Sequence, residues 1–188
     1  MWTTSRRCTR TSTCRRKSSR PPSVILGIDP GTTGMGYALL DAATDPPTII
    51  DCGQVPVLAS ASAADRLLAI ANSLDTLISR HVPTALALER LYFNKNARTA
   101  MRVAEARGVA MLCAARAGLT VAEYTPQEVK LSVTGTGGAD KQQVQRMLTL
   151  VLALDEPITQ DNVADAVAIA LAHVQRARFS AAVALASS

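Results

Sequence analysis

Histidine and cysteine are scarce in this 188-residue chain, with two His and four Cys. Cys8, Cys14, Cys52 and Cys113 follow no metal-ligand spacing and form no disulfide framework. Thiolate or imidazole metal chemistry and a secreted disulfide scaffold are therefore excluded, and a reducing cytoplasm fits. No apolar run approaches the roughly 20 residues of a membrane span, and the N-terminus lacks the apolar core of a secretory signal. Acidic residues are missing from positions 1–23, which carry Arg6, Arg7, Arg10, Arg15, Arg16, Lys17 and Arg20. The overall charge of +5 thus misleads. Outside that stretch 13 basic residues face 15 acidic ones, a net −2. Residues 1–23 have no apolar stretch to bury and are expected to be a disordered basic tail or a non-native start. One domain is expected over 24–178, long enough for a sizeable core, with 179–188 as a C-terminal tail.

The stretch that organises the rest is VILGIDPGTTGMGYALL, Val24 to Leu40. Val24 to Ile28 suits a strand buried on both faces. Asp29 ends it, Pro30 and Gly31 follow, and a second apolar run covers Tyr37 to Leu40. An acid is thereby set at the end of a buried strand, beside a glycine-rich turn. The pattern also fits a plain hairpin in which Asp29 caps the turn through backbone amides. Pro30 favours the first reading, because it removes one donor that would otherwise satisfy the carboxylate.

Thr48 to Leu58 predicts a third strand, limited to an edge or bulge by Gly53 and Pro56. Apolar residues at helical spacing predict a helix over Ser62 to Ser79. Ala85 to Leu88 reads as a short buried strand delivering Glu89. A helix over Asn94 to Ala117, a strand over Leu119 to Tyr124 and a short helix from Pro126 to about Val133 follow. Asp140 to Leu154 and Asp161 to Arg178 complete the set. Three strands followed by alternating strands and helices indicate an α/β domain with a five-stranded mixed sheet flanked by helices.

Four carboxylates carry the chemistry. Asp29 and Glu89 end two buried strands, while Asp161 and Asp165, four apart, share one face of a helix start. Singly, such acids are solvated loop residues or complements to a helix dipole. Together they form a hard oxygen site suited to Mg²⁺ or Mn²⁺. In an α/β domain that suits phosphodiester hydrolysis by two metals roughly 3.5–4 Å apart.

The segments ILGIDPGTTGMGYALL, ALERLYFNKNARTAMRVAEARGVA, EYTPQEVKLSVTGTGGADKQQVQRML and DNVADAVAIALAH, in this order, resemble the RuvC-type Holliday junction resolvases. The resemblance runs from Val24 to about Gln175. It implies an RNase H-like fold and a homodimeric, metal-dependent endonuclease. Such an enzyme makes paired symmetric nicks in a four-way DNA junction, leaving 5′-phosphate and 3′-hydroxyl ends. Asp29, Glu89 and Asp165 would be metal-binding acids, with two Mg²⁺ or Mn²⁺ per site. Branch-migration proteins of the RuvA and RuvB kind are the implied partners.

One position departs from the family. Three residues before its last-helix acid the family has aspartate or histidine; here stands Asn162, with Asp161 one residue further back. Either Asp161 supplies the fourth ligand or Asn162 coordinates through its amide oxygen. The charge of divalent ions favours Asp161 as the working carboxylate, with Asn162 turned partly aside. A neutral amide would weaken affinity for the second metal, and a non-catalytic or weakened junction-binding module is the alternative function.

Tyr92 and Phe93, two of only six aromatics, are expected to stack on unpaired bases at the junction, or else to be ordinary packing. Lys130 and Lys141 match basic positions of the family and are expected to meet DNA phosphates; Lys95 and Arg98 are further basic residues near the site. The loop TGTGGADK is not a P-loop, since Asp140 and Gln142 stand at its glycine and Ser/Thr positions. It is expected to offer backbone amides to a phosphate at a helix start. His81 and His173 read as solvated or loop-packing residues. The first stretch also resembles a phosphate loop of actin-like ATPases, but the second lobe they need has no counterpart here. Small and apolar residues along the Asn94 helix fit either the chain's own sheet or a second copy across a two-fold axis.

Overall fold

The computed structural model describes residues 23–30, 34–56, 61–90 and 97–187, the side chains of 97–99 excepted. Among the described residues ten elements follow one another: β1 Val24–Asp29, β2 Gly36–Asp41, β3 Thr48–Gln54, α1 Ala63–His81, β4 Ala85–Glu89, α2 Ala97–Arg116, β5 Thr120–Tyr124, α3 Pro126–Thr134, α4 Lys141–Val151 and α5 Asp161–Ala186. The five strands form one sheet in the order β3-β2-β1-β4-β5. β1, β2 and β3 pair antiparallel, whereas β1–β4 and β4–β5 are parallel. The mixed α/β sheet matches the sequence reading. β3 is an edge, as Gly53 and Pro56 require, and its register against β2 shifts between Leu39 and Leu40.

Period-two alternation divides the strands between two cores. Val24, Leu26, Ile28, Leu86 and Leu88 pack with α1 and α2; Ile25, Leu40, Ala85 and Ala87 pack with α5. From Ala166 to Ala172 every residue of α5 is buried. A helix apolar all round must be covered on all sides, and α5 lies against β1 and β2 on one side and α3 and α4 on the other. Glycine sets how near it comes. A Cβ on Gly27 would collide with the carbonyl of Ala166, and one on Gly36 with that of Asn162. No helix of the described residues is long and apolar enough to cross a membrane.

Several boundaries differ from expectation. α5 continues beyond Arg178 to Ala186, because FSAAVALA contains neither Gly nor Pro to stop it. Arg178 itself donates to the Asp45 carboxylate at 2.9 Å and to the carbonyls of Ala42 and Thr44. α4 begins one residue after Asp140, which serves as its N-cap. Neither histidine is a solvated loop residue. His81 closes α1 with its side chain only 13% exposed, its Nε2 3.7 Å from the Asp51 carboxylate. His173 is half-buried in α5, its Nδ1 2.8 Å from the Tyr124 hydroxyl.

Candidate active site

β1 and β4 run parallel with Ile28 beside Leu88, so Asp29 and Glu89 leave adjacent strand ends together. Both follow a residue of the α1–α2 face and therefore turn to the α5 face. The chain leaving Glu89 is tied down at once, since the Arg90 amide donates to the Tyr124 carbonyl at 2.7 Å. Beside it on β5, the Glu123 carboxylate receives Arg107 of α2 at 2.7 Å and Arg90 at 3.9 Å. Asp165 arrives from the second turn of α5, whose close approach is permitted by Gly36.

The electrostatics report the convergence. Burial pushes the Asp29 carboxyl up to about 7, and the charges of Asp165 and Glu89 add to the rise while Lys141 opposes it. Glu89 is raised by burial and then by Asp165. Burial also raises Asp165, against the pull of Lys141 and Lys130. Three half-buried acids thus repel one another with insufficient counter-charge. Among the described residues, no three Asp, Glu, His or Cys side chains lie close enough to hold an ion by themselves. This donor set fits a hard divalent cation that keeps waters and substrate oxygens in its shell, as Mg²⁺ does. Such an ion would supply the missing positive charge.

A cleft of about 270 Å³ opens beside the acids. Glu89, Asp165, Lys130 and Lys141 give it charge, while Val129 and Ile169 contribute apolar lining. The two lysines thus line one cleft with Glu89 and Asp165, Lys130 from α3 and Lys141 from α4. Asp161 instead faces α4. Its Oδ2 lies 2.9 Å from the Lys141 ammonium, and its Oδ1 accepts from the Gln145 amide at 3.5 Å. Asn162 donates its amide to the Gly34 carbonyl at 3.1 Å. Gln145 was missed by the sequence reading, although it stands four residues after Lys141 and hence on the same helix face. The helix start after the TGTGG loop is already capped, the Asp140 carboxylate accepting from the Gln143 amide at 2.8 Å. A carboxylate in that place repels a phosphate, contrary to the expectation for this loop. Tyr92, Phe93 and Lys95 lie outside the described residues, as does the side chain of Arg98.

A family profile described as Crossover junction endodeoxyribonuclease RuvC matches residues 25–173. The chain belongs to the RuvC family. A relative of that name from Pelotomaculum thermopropionicum is 45% identical over 150 residues, covering 80% of this chain and 92% of its own. Another, from Heliobacterium modesticaldum, is 48% identical over 148 residues, covering 79% and 91%. Among solved structures, Thermus thermophilus RuvC in complex with Holliday junction substrate superposes with a TM-score of 0.79 at 31% identity, covering 84% of this chain and 96% of that one. The yeast mitochondrial Holliday junction resolvase Ydc2 shares the fold at a TM-score of 0.59 and 13% identity, covering 85% and 82%. The fold of this family member is RNase H-like, as the four sequence segments implied.

Proposed function

We propose that this chain is a metal-dependent crossover junction endodeoxyribonuclease, which resolves four-way DNA junctions by paired symmetric nicks in recombination and repair. The observation that carries the reading is the meeting of Asp29, Glu89 and Asp165 on the α5 face, each with its acid strength lowered by burial. With water and substrate oxygens completing the shells, these three carboxylates would hold Mg²⁺ or Mn²⁺, two per site. Bound there, the ions would activate water and stabilise charge on the phosphate. The side chains do the positioning. Asp29 and Glu89, on rigid strand ends, fix one side of the site, and Asp165 on α5 fixes the other. Lys130 and Lys141 at the cleft bring positive charge to the DNA backbone. Cleavage leaves a 5′-phosphate and a 3′-hydroxyl, so the nicks are ligatable. Tyr92 and Phe93, soon after Glu89 in sequence, are assigned to base stacking at the crossover.

Symmetric nicks require two sites related by a dyad. A second copy of this chain is the proposed partner, docking along α2. There Met101 is 65% and Leu112 58% exposed, and among the described residues no atom lies within 4 Å of a Cβ placed on Gly108. RuvA- and RuvB-type branch-migration proteins, a cytoplasmic location and a nuclease unit spanning 24–178 belong to the same proposal.

The test is a synthetic four-way junction incubated with Mg²⁺ or Mn²⁺ and resolved on a denaturing gel. Two symmetric nicks are expected. Asp29→Asn should lower the rate by at least about 10²-fold, the scale of losing a group that acts on the transition state. Junction binding should persist, since removing negative charge does not weaken attraction to phosphate. Near-normal cleavage by the variant would reject the assignment, and binding without nicking by the parent chain would identify a non-catalytic module.

A further inference from the structure

Lys141 occupies the first position of α4, where the helix dipole disfavours a cation. The preceding acid does not compensate it, because Asp140 caps the helix through the Gln143 amide. Compensation comes instead from the next helix. Asp161 Oδ2 lies 2.9 Å from Lys141 Nζ, and Gln145, one turn along α4, donates to Asp161 Oδ1 at 3.5 Å. Both carboxylate oxygens are therefore engaged by α4. The side chain of Asp161 is 61% exposed, unlike the half-buried Asp29, Glu89 and Asp165. Lys141 lines the same cleft as Glu89 and Asp165. Asn162, the adjacent residue, is turned to the other side and holds the Gly34 carbonyl. The first turn of α5 thus braces two elements, α4 through residue 161 and the segment before β2 through residue 162.

We propose that Asp161 is a positioning residue that holds the Lys141 ammonium at the cleft, facing the acids and an incoming phosphate, and is not a metal ligand. The inference rests on the function proposed above. It departs from the expectation drawn from charge alone. An aspartate paired with an ammonium is a net-neutral unit, and offers a divalent ion much less than a free carboxylate does. The pair is half-exposed, and such pairs contribute little to stability. Its value lies in orientation, since Lys141 has a flexible four-carbon stem that one partner can restrain.

Calorimetric titration with Mn²⁺ and single-turnover junction cleavage separate a positioning residue from a ligand. Asp161→Asn should keep its Mn²⁺ affinity within about fivefold of the parent, the range open to a half-exposed ion pair that touches no metal ligand. A larger loss would overturn the proposal. Its cleavage rate should fall by about tenfold. The Asp161→Asn/Lys141→Ala double variant should be no slower than Lys141→Ala alone, because residues acting as one unit are non-additive. Multiplying effects would overturn the proposal as well. Asp161→Glu should restore most of the rate by renewing the ion pair. Asp29→Asn serves as the control: if it fails to weaken Mn²⁺ binding, the metal-site reading itself falls, whatever Asp161 does.

Discussion

The two faces of the sheet solve different packing problems. On the α1–α2 face, Leu26, Ile28, Leu39, Leu86 and Leu88 fill space with large side chains. On the α5 face Ile25 and Leu40 are interspersed with small residues where helix and strands come closest: Gly27, Ala38, Ala85 and Ala87 from the strands, with Ala166 and Ala170 from the helix. Bulk on the first face holds helices off at side-chain distance. Small residues on the second let the α5 backbone come down onto the strands, carrying Asp165 towards Asp29 and Glu89. All three acids lie on the small-residue face. The large-residue face supplies cohesion, whereas the small-residue face supplies proximity.

This contrast breaks most visibly when each face is given the other's character. Leu26→Ala should destabilise the fold by about 2–5 kcal/mol through lost burial and a cavity. The molecules that remain folded should still cut at close to the parent rate. Gly36→Ala should cost less stability, about 1–3 kcal/mol for overpacking. It should nonetheless lower cleavage far more, by about 10²-fold if α5 is pushed away by 1 Å. Urea unfolding and single-turnover cleavage of both variants measure the two losses. A Gly36→Ala enzyme that is merely less stable would remove the link between close packing and catalysis.

A second consequence separates the faces by pH. Asp29 is raised from 3.8 to about 7, with Glu89 and Asp165 also raised. The metal-free folded state therefore binds more protons than the unfolded chain across that window. The contribution of these acids to stability is full below about pH 4 and is lost as pH climbs through 7. Asp29→Asn removes the group, and should raise metal-free stability at pH 8 by on the order of 3 kcal/mol. Thermal melts in a chelator from pH 4.5 to 8.5, an interval of about four units spanning the titration, would show the decline in the parent and its reduction in the variant. Equal slopes would mean the acids do not form one electrostatic unit. The Leu26→Ala protein should keep the parent's slope.

The smallest expected effect lies away from both faces. Val82 is 72% exposed and caps α1 with φ 46°, a left-handed conformation unfavourable to a β-branched residue. Val82→Gly should relieve it and stabilise the fold by about 0.5–1 kcal/mol, part of the gain being offset by the freer unfolded glycine. The cleavage rate should not change. Destabilisation in urea would mean the Val82 side chain contributes packing that its exposure conceals.

Much of this architecture was legible in the chain. Apolar runs ending in Asp29 and Glu89 are local patterns, and pleating alone makes such runs into strands with an acid at the rim. The helix carrying Asp165 was equally local, since its acids precede a long run of alanine and aliphatic residues. A helix end at Arg178 fails because the next eight residues continue without a breaker. The partner of His173 is not legible locally, because Tyr124 is 49 residues away. Asp161 and Asn162 were both read as possible ligands, for a sequence shows charge and donor type but not which neighbour already engages the side chain.

The strands, the helices and the acids at their ends are local properties of the chain, because they follow from periodicity and backbone chemistry within a few residues. Folding put Asp29 and Glu89 on one face, since that depends on β1 pairing in parallel register with β4. It also decided that Asp161 faces Lys141 while Asn162 faces Gly34. Adjacent residues on a helix point about 100° apart, and what each meets is set by elements that only the folded chain brings alongside.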